Sequence, residues 1–159
     1  MRMDTDPELS ADRLLAAYWR PGALPVDPYA IADALSVEVR EGELALNLSS
    51  ALIKEPDGEP FILLSKKDSK AWKRFSCAYE IGAYMQHKEE KSFHLSFDRR
   101  KPAEDVFACG LATNLLMPKE DLYDIYSGTK ILWDLARRFG VSPRTMKTRL
   151  EELKLDYTE

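Results

Sequence analysis

Arg74-Phe75-Ser76-Cys77-Ala78-Tyr79-Glu80-Ile81-Gly82-Ala83-Tyr84-Met85-Gln86-His87 is the stretch whose reading decides the fold. It sits in a proline-free window over about 69–86. There Trp72, Phe75, Ala78, Gly82 and Met85 recur at spacings of three or four, which predicts a long buried helix. At about 100° per residue, Ser76, Tyr79, Glu80, Ala83 and His87 share a different face, one that is polar or small. A carboxylate in the middle of a buried helix is costly without a partner, so this face is where chemistry is sought first.

Outward from that helix the pattern alternates between short strands and helices. Upstream, Ser10 can cap a helix over 10–20, stopped by Pro21-Gly22, and Asp27-Pro28 predicts a second helix to about Leu35. A strand over 37–40 follows, and Pro56-Asp57-Gly58 joins apolar segments at 51–54 and 61–65 as a β-hairpin would. Downstream, 92–97 alternates as a half-buried strand and Asp98-Arg99-Arg100-Lys101-Pro102 reads as a loop. Helices are predicted over 104–117, from Pro118 to a stop at Gly128, over 130–139 and, capped by Ser142, over 144–153.

The fold class expected is α+β, one domain over 1–159. It should be mostly helical, with a small three-stranded mixed or antiparallel sheet beside the central helix.

The chain has 159 residues, 45% hydrophobic and 31% charged, and a net charge of −4. These values fit a globular chain with one core and give no overall field toward nucleic acid or anionic lipid. No apolar run reaches the roughly 18 residues of a transmembrane span, and the start, Met1 to Glu8, is acidic, so a cytoplasmic protein is expected, with no membrane partner. Cys77 and Cys109 fit neither a disulfide framework nor a CxxC knuckle and are read as reduced thiols. There is no nucleophile elbow and no phosphate-cradling glycine loop.

In an H-E-x-x-H zinc peptidase, histidines one helical turn apart bind the ion and the glutamate deprotonates the metal-bound water. The corresponding window is Tyr79-Glu80-Ile81-Gly82-Ala83. The longer stretch resembles the R-F-x-x-A-H-E-x-G-H-x-x-x-H signature of the ImmA/IrrE metallopeptidases. Asp105-Val106-Phe107-Ala108-Cys109-Gly110-Leu111-Ala112-Thr113-Asn114-Leu115-Leu116-Met117-Pro118 is similar to that family's second signature, E-x-x-A-N-x-F-A-x-x-L-L-M-P. Pro25-Val26-Asp27-Pro28 with Ile31-Ala32, and Phe139-Gly140-Val141-Ser142 with Arg149-Leu150, extend the resemblance over about 24–155. It implies a zincin-like fold, with 129–154 as a closing helical pair that also looks like a helix-turn-helix.

Carried over, the resemblance places the family's first histidine on Tyr79, its general base on Glu80, its second histidine on Ala83 and its acidic third ligand on Asp105, with Glu104 one residue away. Alanine offers no donor, and tyrosine must lose a proton of pKa near 10 to ligate well. Zinc, the family's metal, is therefore not expected, and Glu80 stands as a vestigial base held by a raised pKa or by Tyr79 or Tyr84. His87 shares the face but lies two turns from Tyr79, and His94 reads as a strand edge.

The leading expectation is a catalytically silent relative that binds a protein, such as a helix-turn-helix repressor of a prophage, mobile element or toxin-antitoxin-like system. One alternative is an active metal-dependent endopeptidase that cleaves such a repressor, with Glu80, Asp105 and either Tyr79 or His87 as an unusual metal set. A second is DNA binding through Arg144, Lys147 and Arg149, against which Glu151 and Glu152 weigh.

Overall fold

Two Asp-Pro pairs set how the chain enters its first helices. The computed structural model describes residues 5–45, 47–96 and 100–159. α1 spans Pro7–Tyr18 and α2 spans Pro28–Ala34. The Asp6 carboxylate accepts from Glu8 and Leu9 N–H at 3.0 and 3.2 Å, and Asp27 accepts from Tyr29 and Ala30 at 2.9 and 3.3 Å. Each proline takes the first helical position, where its missing N–H costs nothing. Asp6, not Ser10, is therefore the cap of the first helix; Ser10 lies inside it and is buried.

The strands are β1 Glu38–Gly42, β2 Ser50–Lys54, β3 Phe61–Ser65 and β4 Phe93–Ser96. They form one sheet in the order β1-β3-β2-β4, with β1 parallel to β3 and the other two pairs antiparallel. The hairpin at Pro56-Asp57-Gly58 forms as expected. The sheet has four strands and not three, because β4 pairs with β2 and becomes its edge. His94 is exposed on that edge strand. Phe97, Asp98 and Arg99, at the end of the expected strand and the start of the loop, lie outside the described residues.

α3, Lys70–His87, begins at Ser69, whose hydroxyl accepts from Trp72 N–H at 3.2 Å. It packs against the sheet on one side and against α4, Pro102–Leu116, on the other. Gly82 makes the α3–α4 approach possible, since a Cβ there would lie 2.8 Å from the Ala108 Cα. α1 covers the far side of α4. α5 Lys119–Tyr126, α6 Leu132–Phe139 and α7 Pro143–Glu152 complete the α+β fold. Among the described residues, no helix is long and apolar enough to cross a membrane.

Two buried arginines fasten segments that are far apart in sequence. Arg74, on α3, donates from Nε to the Gly140 carbonyl at 3.0 Å and from Nη2 to the Val26 carbonyl. Gly140 closes α6 at φ 66°, and a Cβ there would meet Arg74 Nε at 2.9 Å, so both conformation and contact require glycine. Arg149, on α7, donates from Nη2 to Asn114 Oδ1 at 3.0 Å and to the Met117 carbonyl at 3.1 Å. Of the three basic residues that α7 could offer to DNA, Arg149 is thus turned into the fold.

Candidate functional site

Along α3, Tyr79, Glu80 and Ala83 are buried as the helical period demands, at 7%, 0% and 2% exposure, with Ser76 beside them at 4%. Burial of Glu80 removes its hydration, so its two oxygens need donors from the protein. Ser50, the first residue of β2, donates its hydroxyl to Oε1 at 2.6 Å. Arg100, just before α4, donates from Nη2 to Oε2 at 2.5 Å and to the Leu95 carbonyl at 3.0 Å. The Arg100 side chain is itself only 2% exposed, and its guanidinium carbon lies 4.8 Å from the centre of the Tyr79 ring. Glu80 is therefore the anion of a buried ion pair.

Contrary to one expectation, Tyr79 does not hold Glu80; its hydroxyl donates instead to Asp105 Oδ1 at 2.6 Å. Tyr84 does not either. It is half-buried near Glu59 and Glu89, and burial raises its phenol. The acid in register with Tyr79 is Asp105. Glu104 instead faces the Lys101 backbone N–H at 3.4 Å, and its Oε1 lies 3.5 Å from His87 Nε2. His87, also 3.0 Å from Glu90 Oε1, thus ties the end of α3 to the start of α4.

The electrostatics follow from the same geometry. Burial pushes the Glu80 carboxyl above its ordinary value, while the Arg100 charge and the bonds from Arg100 and Ser50 pull it back. Both oxygens accept, which is the pattern of the ionised form. Burial, followed by donation to Asp105, raises the Tyr79 phenol and keeps its proton in place, against the lowering effect of Arg100. The Arg100 guanidinium is held above its ordinary value by Glu80, against the opposing effect of its own burial.

These residues do not fit the zinc ion that the family resemblance implies. A zinc site needs three or four deprotonated N, S or O donors at about 2.0–2.3 Å. Ala83 brings no donor atom, Tyr79 keeps its proton, and Glu80 faces a guanidinium. Among the described residues, no group of three or more His, Cys, Asp or Glu side chains is placed to hold a metal ion.

Beside the pair runs a groove in two adjoining parts that share a wall, of about 290 Å³ and 640 Å³. Trp72, Phe75 and Cys109 line both parts; Ser50, Ser76, Tyr79 and Asp105 belong to the first, and residues of α7 to the second. Burial and the Asp105 charge push the Cys109 thiol up to about 11, against Arg100, and Cys77, fully buried in the core, is pushed up to about 12. Both are free thiols. Alkylation of Cys109 by iodoacetamide at pH 8 is therefore expected to run about 100-fold slower than that of an ordinary thiol and to keep rising tenfold per pH unit up to pH 10. A rate equal to free cysteine would contradict the geometry around Asp105.

A family model described as the IrrE N-terminal-like domain of a peptidase family matches residues 32–151. The chain belongs to this family. Among solved structures, a Mycobacterium tuberculosis transcriptional regulator shares the fold with a TM-score of 0.68 at 19% identity, over 92% of this chain and 47% of that one. This chain thus spans less than half of that regulator. No curated protein matches.

The structure brings Tyr79, Glu80, Ala83, Ser76 and Asp105 together, and leaves Tyr84, His87 and Glu104 outside the Glu80 ion pair. Sequence reasoning missed Ser50 and Arg100. The one available signal for Arg100 was the run Arg99-Arg100-Lys101 just ahead of the acid of the second motif.

Proposed function

We propose that this chain is a non-catalytic member of its family that acts as a regulatory, protein-binding module. The observation that carries this is the Glu80–Arg100 pair. A general base must have a free oxygen beside a nucleophilic water, and in a zincin that water is activated by the metal. Here both Glu80 oxygens are engaged, and a fixed organic cation neutralises the charge that the ion would have met. The cleft is retained without the machinery for turnover, so a bound segment would be held and not cut.

The partner we favour is a helix-turn-helix repressor of the kind the family's resemblance implies, from a prophage, mobile element or toxin-antitoxin-like system. The regulator-like structural neighbour agrees with such a role. The test is to mix the protein with the repressor encoded beside its gene, with zinc present, and to follow both chains by size-exclusion chromatography and mass spectrometry. A stoichiometric complex with both chains intact is expected. Cleavage of the repressor overturns the non-catalytic reading, and absence of a complex overturns this choice of partner.

A further inference from the structure

The second part of the groove has two unlike walls. On one side Trp72 stacks on Phe75, ring centres 5.4 Å apart and 9° from parallel. Trp72 is 40% exposed, yet its ring is fixed by a bond from Nε1 to Ser49 Oγ at 2.8 Å, so a flat apolar plate is presented at low cost in side-chain entropy. The start of α7 forms another part of the lining. There Arg144 is exposed and makes no ion pair among the described residues, and Thr145 and Thr148 add hydroxyls. Behind them, Arg149 is 6% exposed and its Nε has no hydrogen-bond partner among the described residues.

Charge separates the two parts. The chain carries −4 overall, yet no acidic side chain is among the described residues that line the second part, while Asp105 lines the first. Arg144, exposed at the groove, and the N-terminal end of the α7 dipole favour a negative group there, while Arg149 is committed to Asn114, Met117 and Glu152 behind the wall. An anionic small molecule would use that end alone. The stacked aromatic plate, and a groove that continues past Tyr79, fit an extended chain with alternating side chains.

We infer that this groove receives an extended, acidic peptide segment of the protein partner. An aromatic or large apolar side chain lies on the Trp72–Phe75 plate, and a carboxylate lies against Arg144 and the first turn of α7. The inference rests on the reading of the chain as a binding module and specifies what it binds.

The test is fluorescence anisotropy with a fluorescein-labelled, end-blocked probe, Gly-Phe-Gly-Glu-Glu-Gly, beside a second probe with lysines for the glutamates. Each probe is checked afterwards by mass spectrometry. The acidic probe is expected to bind at least about tenfold more tightly than the basic one. Arg144→Glu, at an exposed site that folding does not depend on, should abolish or invert that preference, and Trp72→Ala should weaken the acidic probe at least about tenfold. The inference is overturned by equal binding of both probes, by an unchanged preference in Arg144→Glu, or by no binding up to about 1 mM. Binding of duplex DNA that is lost in Arg144→Glu, with no binding of the acidic probe, overturns it in favour of a nucleic-acid surface. An acidic probe that binds with the stated preference but is recovered cut leaves the groove assignment standing and overturns the non-catalytic reading instead.

Discussion

Arg100→Met is expected to lower the unfolding free energy by roughly 3–5 kcal/mol, the usual cost of removing one partner from a buried ion pair, because it leaves the Glu80 charge with Ser50 alone. Glu80→Met should be costly for the mirror reason, since Arg100 Nε and Nη1 already have no hydrogen-bond partner among the described residues. The double variant, with both charges replaced by side chains of similar volume, should equal or exceed the parent. A double-mutant cycle from urea denaturation reads the coupling, and additive losses would mean that the two groups do not depend on each other.

The pH dependence of Arg100→Met has a definite sign. With its counter-charge gone, the folded-state carboxyl of Glu80 rises further above its ordinary value of 4.5. The folded state then keeps a proton that the unfolded chain releases, so stability falls as pH rises from that ordinary value toward the raised one. The deficit relative to the parent should be smaller at pH 5 than at pH 8. A deficit that grows on acidification would contradict this.

Arg74→Met is the second large effect. It removes both donors that join α3 to the Val26 and Gly140 carbonyls, and leaves those carbonyls without their partner. Bonds from a charged donor to buried acceptors are worth about 1.5–3 kcal/mol each, so a loss on the order of 3 kcal/mol is expected in chemical denaturation. Arg74→Lys should not rescue it, because a single ammonium cannot span two carbonyls that a planar guanidinium reaches through separate nitrogens. Full rescue by lysine would show that charge alone, and not the fork, is what matters.

Arg74 and Arg149 mark the limit of what was legible in the fold. The helical period around Glu80, the Asp27-Pro28 cap, the hairpin turn at Pro56-Asp57-Gly58 and Gly140 all act through local geometry, and each stands where local rules put it. Arg74 and Arg149 were visible only as pieces of matching motifs; that they hold Val26, Gly140, Asn114 and Met117 is a tertiary fact with no local trace. Asp6-Pro7 carried the same capping signal as Asp27-Pro28, yet the helical spacing after Ser10 drew the boundary inward. The fourth strand was missed from the sheet because pairing of β4 with β2 depends on how the chain returns after α3.

In the candidate site, that Ala83 brings no donor atom and Tyr79 only a phenol was legible, since residue type alone decides which donor atoms exist. The cation that balances Glu80 was not. Arg99, Arg100 and Lys101 are equally cationic, and only the path into α4 brings Arg100 to Glu80. Tyr79 had two acids within reach of its helix face; the crossing of α4 over Gly82 brings Asp105 to its hydroxyl and leaves Glu80 to Ser50.

The proposed function rests on Arg100, and no metal ion, balancing Glu80. Zinc titration by calorimetry, on protein first stripped with chelator, reads whether a metal competes for this place. The prediction is that no saturable site tighter than on the order of 10 µM exists, because the residues present supply too few deprotonated donors. One equivalent of zinc bound below about 1 µM and lost in Asp105→Asn would show a metal site in place of the Glu80–Arg100 pair.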